Sequence, residues 1–403
     1  MSQAPVEPRP THESPTGPDR SGNDGHERRG LFGFLFSGEG WPYLLVPFIV
    51  IAFVLEFILH YDNANVLFAT SALGVIPTAA LMGRATEELA ERAGPGIGGL
   101  MNVTFGNLPE LIIAFIALNA GLYEVVKASV IGSILGNALL VLGASMLVGG
   151  LKNRTQEFSP KAASAQATML ILAGVALLIP AILWGISGGS LPVPGEEDPA
   201  FSSDIETVSF LVAAVLLATY AGGLLFSLRT HRDLFNPEAE SGEHAEVGHQ
   251  PWSVKKAVIL LAIAGMAVGL MSEILVHSIS ETAENVGVSE FFVGVIVVAV
   301  VGNAAEHWVA ILVAYKNKMD LAVNIAIGSA AQVALFVGPL LVILSFFFGP
   351  TPMPLVFNAL EIAGILLAVF AASYIAGSGE STWFEGLMLL ALYVVLGVTF
   401  FFT

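Results

Sequence analysis

Gly302-Asn303-Ala304-Ala305-Glu306-His307 lies inside a long apolar run, and Gly106-Asn107-Leu108-Pro109-Glu110 repeats its pattern earlier in the chain. An ionisable side chain in such a run is expensive at membrane depth, so it marks a functional site by default. Glu110 and Glu306 lie 196 residues apart (110 to 306), and the same offset relates Asn107 to Asn303 and Gly132-Ser133 to Gly328-Ser329 without a gap. Ala138/Ala334 and Leu139/Leu335 obey it too. One acid-bearing element therefore occurs twice.

The surrounding composition sets the class. Of 403 residues, 55% are hydrophobic and 12% charged, too few charges to cover a water-soluble surface. The expected fold class is an all-α polytopic membrane protein. Cysteine is absent, which excludes disulfides and thiolate metal sites. A formal net charge of −17 argues against nucleic acid as a partner. No basic-then-apolar start is seen, so no cleavable signal peptide is expected, and nothing in the pattern calls for a resident cofactor.

Residues 1–37 are rich in Pro, Ser, Gly and charge, a composition expected to stay disordered as a cytoplasmic tail. From Trp41 the chain reads as about eleven transmembrane helices of roughly 17–25 residues each. They fall at 41–60, 66–83, 98–119, 123–148, 162–186, 205–227, 254–276, 290–315, 319–346, 356–376 and 382–402. Period-two alternation is missing, so helix is the only sensible spanning state.

With the N-terminus cytoplasmic, 15 of the 16 Lys/Arg fall inside and only Lys127 outside, a strong positive-inside bias. Eleven spans then leave the C-terminus outside. The first helix (41–60) has no repeat partner. The next five (66–227) form one unit and the last five (254–402) another, joined by an acidic cytoplasmic linker at 228–253. Five is odd, so the units are expected to enter the membrane from opposite sides as inverted repeats, with a substrate site at their midplane interface.

In Gly-Asn-x-x-Glu the Asn and Glu are three apart and share a helix face. The glycine permits close approach of another helix or a local break. Pro109 clashes with the carbonyl of Phe105 and removes one backbone bond, which predicts an opened helix there. The second copy has Ala305 instead, so Gly302 must supply any opening. The following spans offer Ser133 and Asn137 in the first copy and Ser329 and Gln332 in the second; Gly136 stands where the offset puts Gln332.

All these donors are hard oxygens, which favour a hard cation, Ca²⁺ before the dehydration-resistant Mg²⁺. Two carboxylates in a low-dielectric cavity repel each other and are poorly solvated. Protons are their natural counter-ions, and a divalent ion displaces those protons, which is the minimum apparatus of an exchanger. His307 beside Glu306 is a candidate proton relay, although helix neighbours diverge by about 100° and it need not face the ion. A lone buried glutamate often only bridges helices; two at matching positions, each with Asn three before it, argue for more. Glu56, Glu361 and Glu385 lie near span boundaries and read as wetted helix ends.

These residues carry a family resemblance. GNLPELIIAF at 106–115 with GSILGN at 132–137, and GNAAEH at 302–307 with GSAAQ at 328–332, resemble the two signature repeats of the cation/proton exchanger (CAX) family of the cation/Ca²⁺ exchanger superfamily. The resemblance covers about 41–402; the proline in GNLPE departs from the commoner GNATE-like form. It implies a calcium/proton antiporter in the bilayer, exporting cytosolic Ca²⁺, with Glu110 and Glu306 as cation and proton carriers. Asn107, Asn303, Ser133, Ser329 and Gln332 would assist. A prokaryotic cytoplasmic membrane is the expected location, a vacuolar membrane the alternative. Na⁺/Ca²⁺ exchange is the competing transport reading; an intramembrane metal-dependent hydrolase or a non-transporting scaffold are the readings from other classes.

Overall fold

The computed structural model describes residues 40–196, 199–230 and 252–403. The expected tail (1–37) and most of the acidic linker lie outside those residues. Helices dominate: α1 (Trp41–Ile58), α2 (Ala64–Gly106), α3 (Leu108–Asn119), α4 (Tyr123–Asn153), α5 (Pro160–Ile186) and α6 (Ser203–Thr230) come first. After the linker follow α7 (Val254–His277), α8 (Ile279–Val286), α9 (Glu290–Tyr315), α10 (Met319–Ser345), α11 (Ala359–Ser378) and α12 (Trp383–Phe401). Among the described residues, ten helices are long and apolar enough to cross a membrane, and α3 is a shorter apolar one.

The second and third spans are where sequence and structure differ. Helical hydrogen bonding continues from Ala64 to Gly106. Yet a Cβ on Gly98 would lie 2.1 Å from the carbonyl oxygen of Ala90, whereas residues eight apart on a straight helix are separated by about 12 Å. The chain therefore folds back between Ala90 and Gly98, and the two expected spans are the two limbs. The returning limb breaks at Asn107 and resumes as α3. Two features were not foreseen: the short α8, ended by Gly287 at φ 78°, and a two-stranded antiparallel pair, β1 (Thr155–Glu157) with β2 (Glu380–Thr382).

The packing follows the repeat. α2 packs on α7 and α5 on α11, each helix against its counterpart. Other contacts come in exchanged pairs: α3 on α7 with α9 on α2, and the second half of α4 on α12 with that of α10 on α6. α4 and α10 are the most enclosed helices, with 83% and 72% of their apolar windows buried, against 11% for the peripheral α1. Each of the two central helices contains a π-helical segment, Gly136–Val141 and Val333–Val337, placed almost alike by the 196-residue offset. Such wide turns often mark functional sites. Outward faces carry exposed Val50, Ile182, Val215, Met266 and Phe370, as lipid contact requires.

Cross-loop contacts sort the helix ends into two sets. On one face β1 pairs with β2, Gln156 Nε2 donates to Asn317 Oδ1 at 2.9 Å, and Lys152 Nζ donates to the Tyr315 carbonyl at 3.2 Å. On the other, Thr351 N donates to Tyr123 Oη at 2.8 Å and Gly195 N to Glu124 Oε1 at 3.0 Å.

Helix starts are chemically marked. Asn358 accepts from the amides of Leu360 and Glu361 at 2.9 and 2.8 Å, and Glu361 returns a bond to the Asn358 amide at 2.8 Å, a capping box. Glu361 is 2% exposed, so it is a buried cap and not the wetted end expected from sequence. Glu385 plays the same part with Thr382 at the start of α12. Replacing Asn358 by alanine should cost about 1–2 kcal/mol, read as a lowered melting temperature in detergent by scanning fluorimetry with exchange kinetics retained.

Candidate cation site

The first glutamate is set by a break. α2 ends at Gly106, α3 restarts at Leu108, and Pro109 occupies the first turn, where a missing N–H removes no helical bond. Glu110 thereby sits in the first turn of α3, the helix end that favours negative charge. Pro109 thus opens the helix as its ring chemistry predicts, but the Phe105 carbonyl is not left free: it accepts the N–H of Asn107. In the second copy the expected opening at Gly302 does not occur. α9 runs through Gly302 as regular helix, and its irregularity lies upstream in the π-helical Val293–Val298. Without proline, a run containing Ala304 and Ala305 has the propensity to stay helical.

The glycines do another job. A Cβ on Gly302 would meet Glu110 Cγ at 3.3 Å, and a Cβ on Gly106 would meet Glu306 Oε1 at 3.9 Å. Each glutamate therefore crosses over the glycine of the opposite copy, so the two motifs meet at one place. The 196-residue repeat is realised as a reciprocal contact.

Around this crossing the polar residues divide into three bonded groups. Asn303 Nδ2 donates to Ser133 Oγ at 3.2 Å, its side chain also interacts with Glu110, and Asn137 Nδ2 donates to the Ser133 carbonyl at 3.0 Å. Ser329 Oγ donates to Glu306 Oε2 at 3.1 Å. Asn107 Nδ2 donates to Gln332 Oε1 at 2.7 Å. Exchange symmetry would have sent Asn107 to Ser329, as Asn303 goes to Ser133. Gln332, whose counterpart Gly136 has no side chain, takes that bond instead.

Buried Glu110 Oε1 and Asn137 Oδ1 have no hydrogen-bond partner, a state that buried acceptors rarely keep and that a bound cation would relieve. Glu110, Ser129 and Ser133 also line a small cavity walled by Val298 and Val333. No cluster of three or more His, Asp or Glu suited to a metal occurs among the described residues. The donor set is therefore two carboxylates plus hydroxyl and amide oxygens, which fits a hard cation held loosely enough to be released.

His307 is buried, and its ring faces Gly136 (a Cβ there would be 3.8 Å from Cε1), one residue from Asn137. Glu87 is not among the residues the sequence singles out, since it falls in the loop between the expected spans 66–83 and 98–119; α2 continues through it and brings Glu87 within electrostatic reach of Glu306. The absence of Gly or Pro in Ala85-Thr86-Glu87-Glu88-Leu89-Ala90 was the available signal.

Comparison with known proteins gives the family and the fold. The model of the sodium/calcium exchanger protein family matches residues 64–229 and 256–402. The Ca(2+)/H(+) antiporter ChaA of Bacillus subtilis (strain 168) is 45% identical over 349 residues, 86% of this chain and 95% of that protein. A Ca(2+)/H(+) antiporter of Aphanothece halophytica is 43% identical over 354 residues, 85% and 92% of the two chains. The structure of native YfkE superimposes with a TM-score of 0.74 at 40% identity, covering 90% of this chain and all (100%) of that one. The H+/Ca2+ exchanger CAX shares the fold, with a TM-score of 0.68 at 15% identity over 91% and 92% of the chains. The chain belongs to the sodium/calcium exchanger family and, within it, to the cation/proton exchanger branch. It is an integral membrane transporter and not a hydrolase.

Proposed function

We propose that the chain exports cytosolic Ca²⁺ in exchange for protons, using Glu110 and Glu306 as a shared carrier site. The observation that carries this reading is the reciprocal crossing of each glutamate over the other copy's glycine. Two carboxylates at one place hold either protons or one divalent ion, and the ion's charge balances both. Asn107, Asn303, Ser133, Ser329, Asn137 and Gln332 supply neutral oxygens, and His307 stands beside Asn137 as a proton-handling candidate. The names of the Bacillus and Aphanothece relatives support the choice of substrates.

In this reading the unpaired α1 precedes two five-helix units, 66–227 and 254–402, oppositely oriented in a bacterial cytoplasmic membrane with the N-terminus inside and the C-terminus outside. The sorting of cross-loop contacts into two faces supports it, since the loops joined by β1 and β2 both fall on the side rich in Lys and Arg. The cycle then alternates access. Protonated carboxyls face inward, Ca²⁺ displaces the protons, and the loaded site turns outward, where protons displace Ca²⁺.

Na⁺/Ca²⁺ exchange is the reading to separate from this one, because the wider family bears that name. In proteoliposomes, an imposed pH gradient should drive Ca²⁺ accumulation in Na⁺-free buffer, with proton movement read by a trapped fluorescent dye. Raising the pH on the Ca²⁺-binding side should lower the KM for Ca²⁺, since fewer protons compete. Ca²⁺ accumulation driven by a Na⁺ gradient at equal pH would defeat the proposal.

A further inference from the structure

Beyond the central site, a polar seam runs between α10 and α5. Asp320, Asn324, Gly328 and Gln332 are spaced by four on α10, a row that climbs about 18 Å and winds about 120° round the helix. At the loop end the Ser159 amide donates to Asp320 Oδ1. One turn further in, Gln166 of α5 donates to Asn324 Oδ1. Gln166 lies directly over Gly328, where a Cβ would come within 3.0 Å of its Nε2. Its Oε1 is buried with no hydrogen-bond partner. The next residue on α10, Ser329, holds Glu306, and Gln332 holds Asn107.

The repeat offers an internal control. The 196-residue offset pairs Asn324, Gly328 and Gln332 with Ala128, Gly132 and Gly136 on α4. That face carries no amide, and it is closed by packing. A Cβ on Gly294 would sit 2.9 Å from the Ala128 side chain, and one on Gly132 would sit 2.1 Å from the Val295 carbonyl. The offset also pairs Asp320 with Glu124, which accepts the Gly195 amide as Asp320 accepts that of Ser159; the acidic end is thus common to both copies, and the amide pair exists on one side alone.

We propose that Gln166 and Asn324 form a waystation for the transported divalent cation, whose amide oxygens take over part of its hydration shell between the Asp320 mouth and Glu306. This rests on the exchange reading above. Two neutral oxygens suit such a role: they replace water ligands without holding the ion as tightly as carboxylates do. Gly328 is needed because any larger residue displaces the Gln166 amide from the line of travel.

The test is sided transport kinetics on the full chain, with Ca²⁺ offered at the Asp320 face or at the opposite face. Gln166→Leu and Asn324→Leu should each raise the KM for Ca²⁺ about tenfold at the Asp320 face, with Vmax within about twofold and KM at the other face unchanged; this is the loss of roughly one oxygen ligand. Gln166→Asn keeps the amide but withdraws it, and should give an intermediate KM; it also carries the test if the leucine variants fail to fold. A fall in melting temperature with KM unchanged would mean that the pair only joins α5 to α10, and would overturn the proposal. An equal rise in KM at both faces would overturn it too. Absence of proton-coupled Ca²⁺ flux in the unaltered protein would instead bring down the exchange reading, and the waystation with it.

Discussion

The Glu306→Gln protein should carry no measurable Ca²⁺ against protons, a loss on the order of a thousandfold. Two carboxylates meet at the crossing, and no third acid joins them in a metal-binding cluster among the described residues. Glutamine keeps the shape and one oxygen but removes a full charge. At about 4 Å and an effective dielectric near 20, one unit pair is worth roughly 4 kcal/mol, or about three decades in affinity. The amide also cannot take and release a proton, so both halves of the cycle fail together. Glu110→Gln should behave the same way, because each glutamate rests on the other's motif. The check is dye-monitored exchange with ⁴⁵Ca²⁺ binding on protein that stays monodisperse. Near-normal flux in a well-folded Glu306→Gln variant would remove the central assignment.

The largest effect on folding should come from Gly132→Ala. A Cβ there would stand 2.1 Å from the Val295 carbonyl oxygen and 2.8 Å from the Ala299 side chain, with backbone on one side and no flexible chain end to yield. Helices at membrane depth associate through such small-residue contacts, and forcing α4 away from α9 would also move Ser133 off Asn303. A loss of about 3 kcal/mol or failure to purify as a single species is expected. Gly83→Ala is the control, since nothing lies within 4 Å of its added Cβ. If the Gly132 variant melts like the control, the α4–α9 contact is not the constraint described.

Much of this is legible in the sequence. Span lengths, the charge bias and the 196-residue echo need only hydropathy and counting, and the buried acids announce themselves because apolar surroundings make them costly. Less visible was how the backbone would deliver them. Pro109 signalled a break correctly, yet the broken helix closes on the Phe105 carbonyl through Asn107, a local bond that spacing does not reveal. Gly302 looked like an opening by analogy; it serves as clearance for Glu110, a relation set by a helix almost two hundred residues away. Glu87 escaped because a charged segment between apolar runs reads as loop, whereas α2 carries it onward as helix beside Glu306. Asn107 bonding to Gln332 and not to Ser329 followed from one side-chain difference between the copies, Gln332 against Gly136.

The short β1–β2 pair has a mechanical corollary. Three residues on each strand stay in register, Thr155 with Thr382, Gln156 with Ser381 and Glu157 with Glu380, and they tie the loop after α4 to the loop before α12. Relative motion of the helix bundles that keeps those pairs intact must pivot about them, as a door turns on its hinge pin. The widest swing then falls at the far rim, around Tyr123 and Thr351, where the joining bonds are few and made by single side chains.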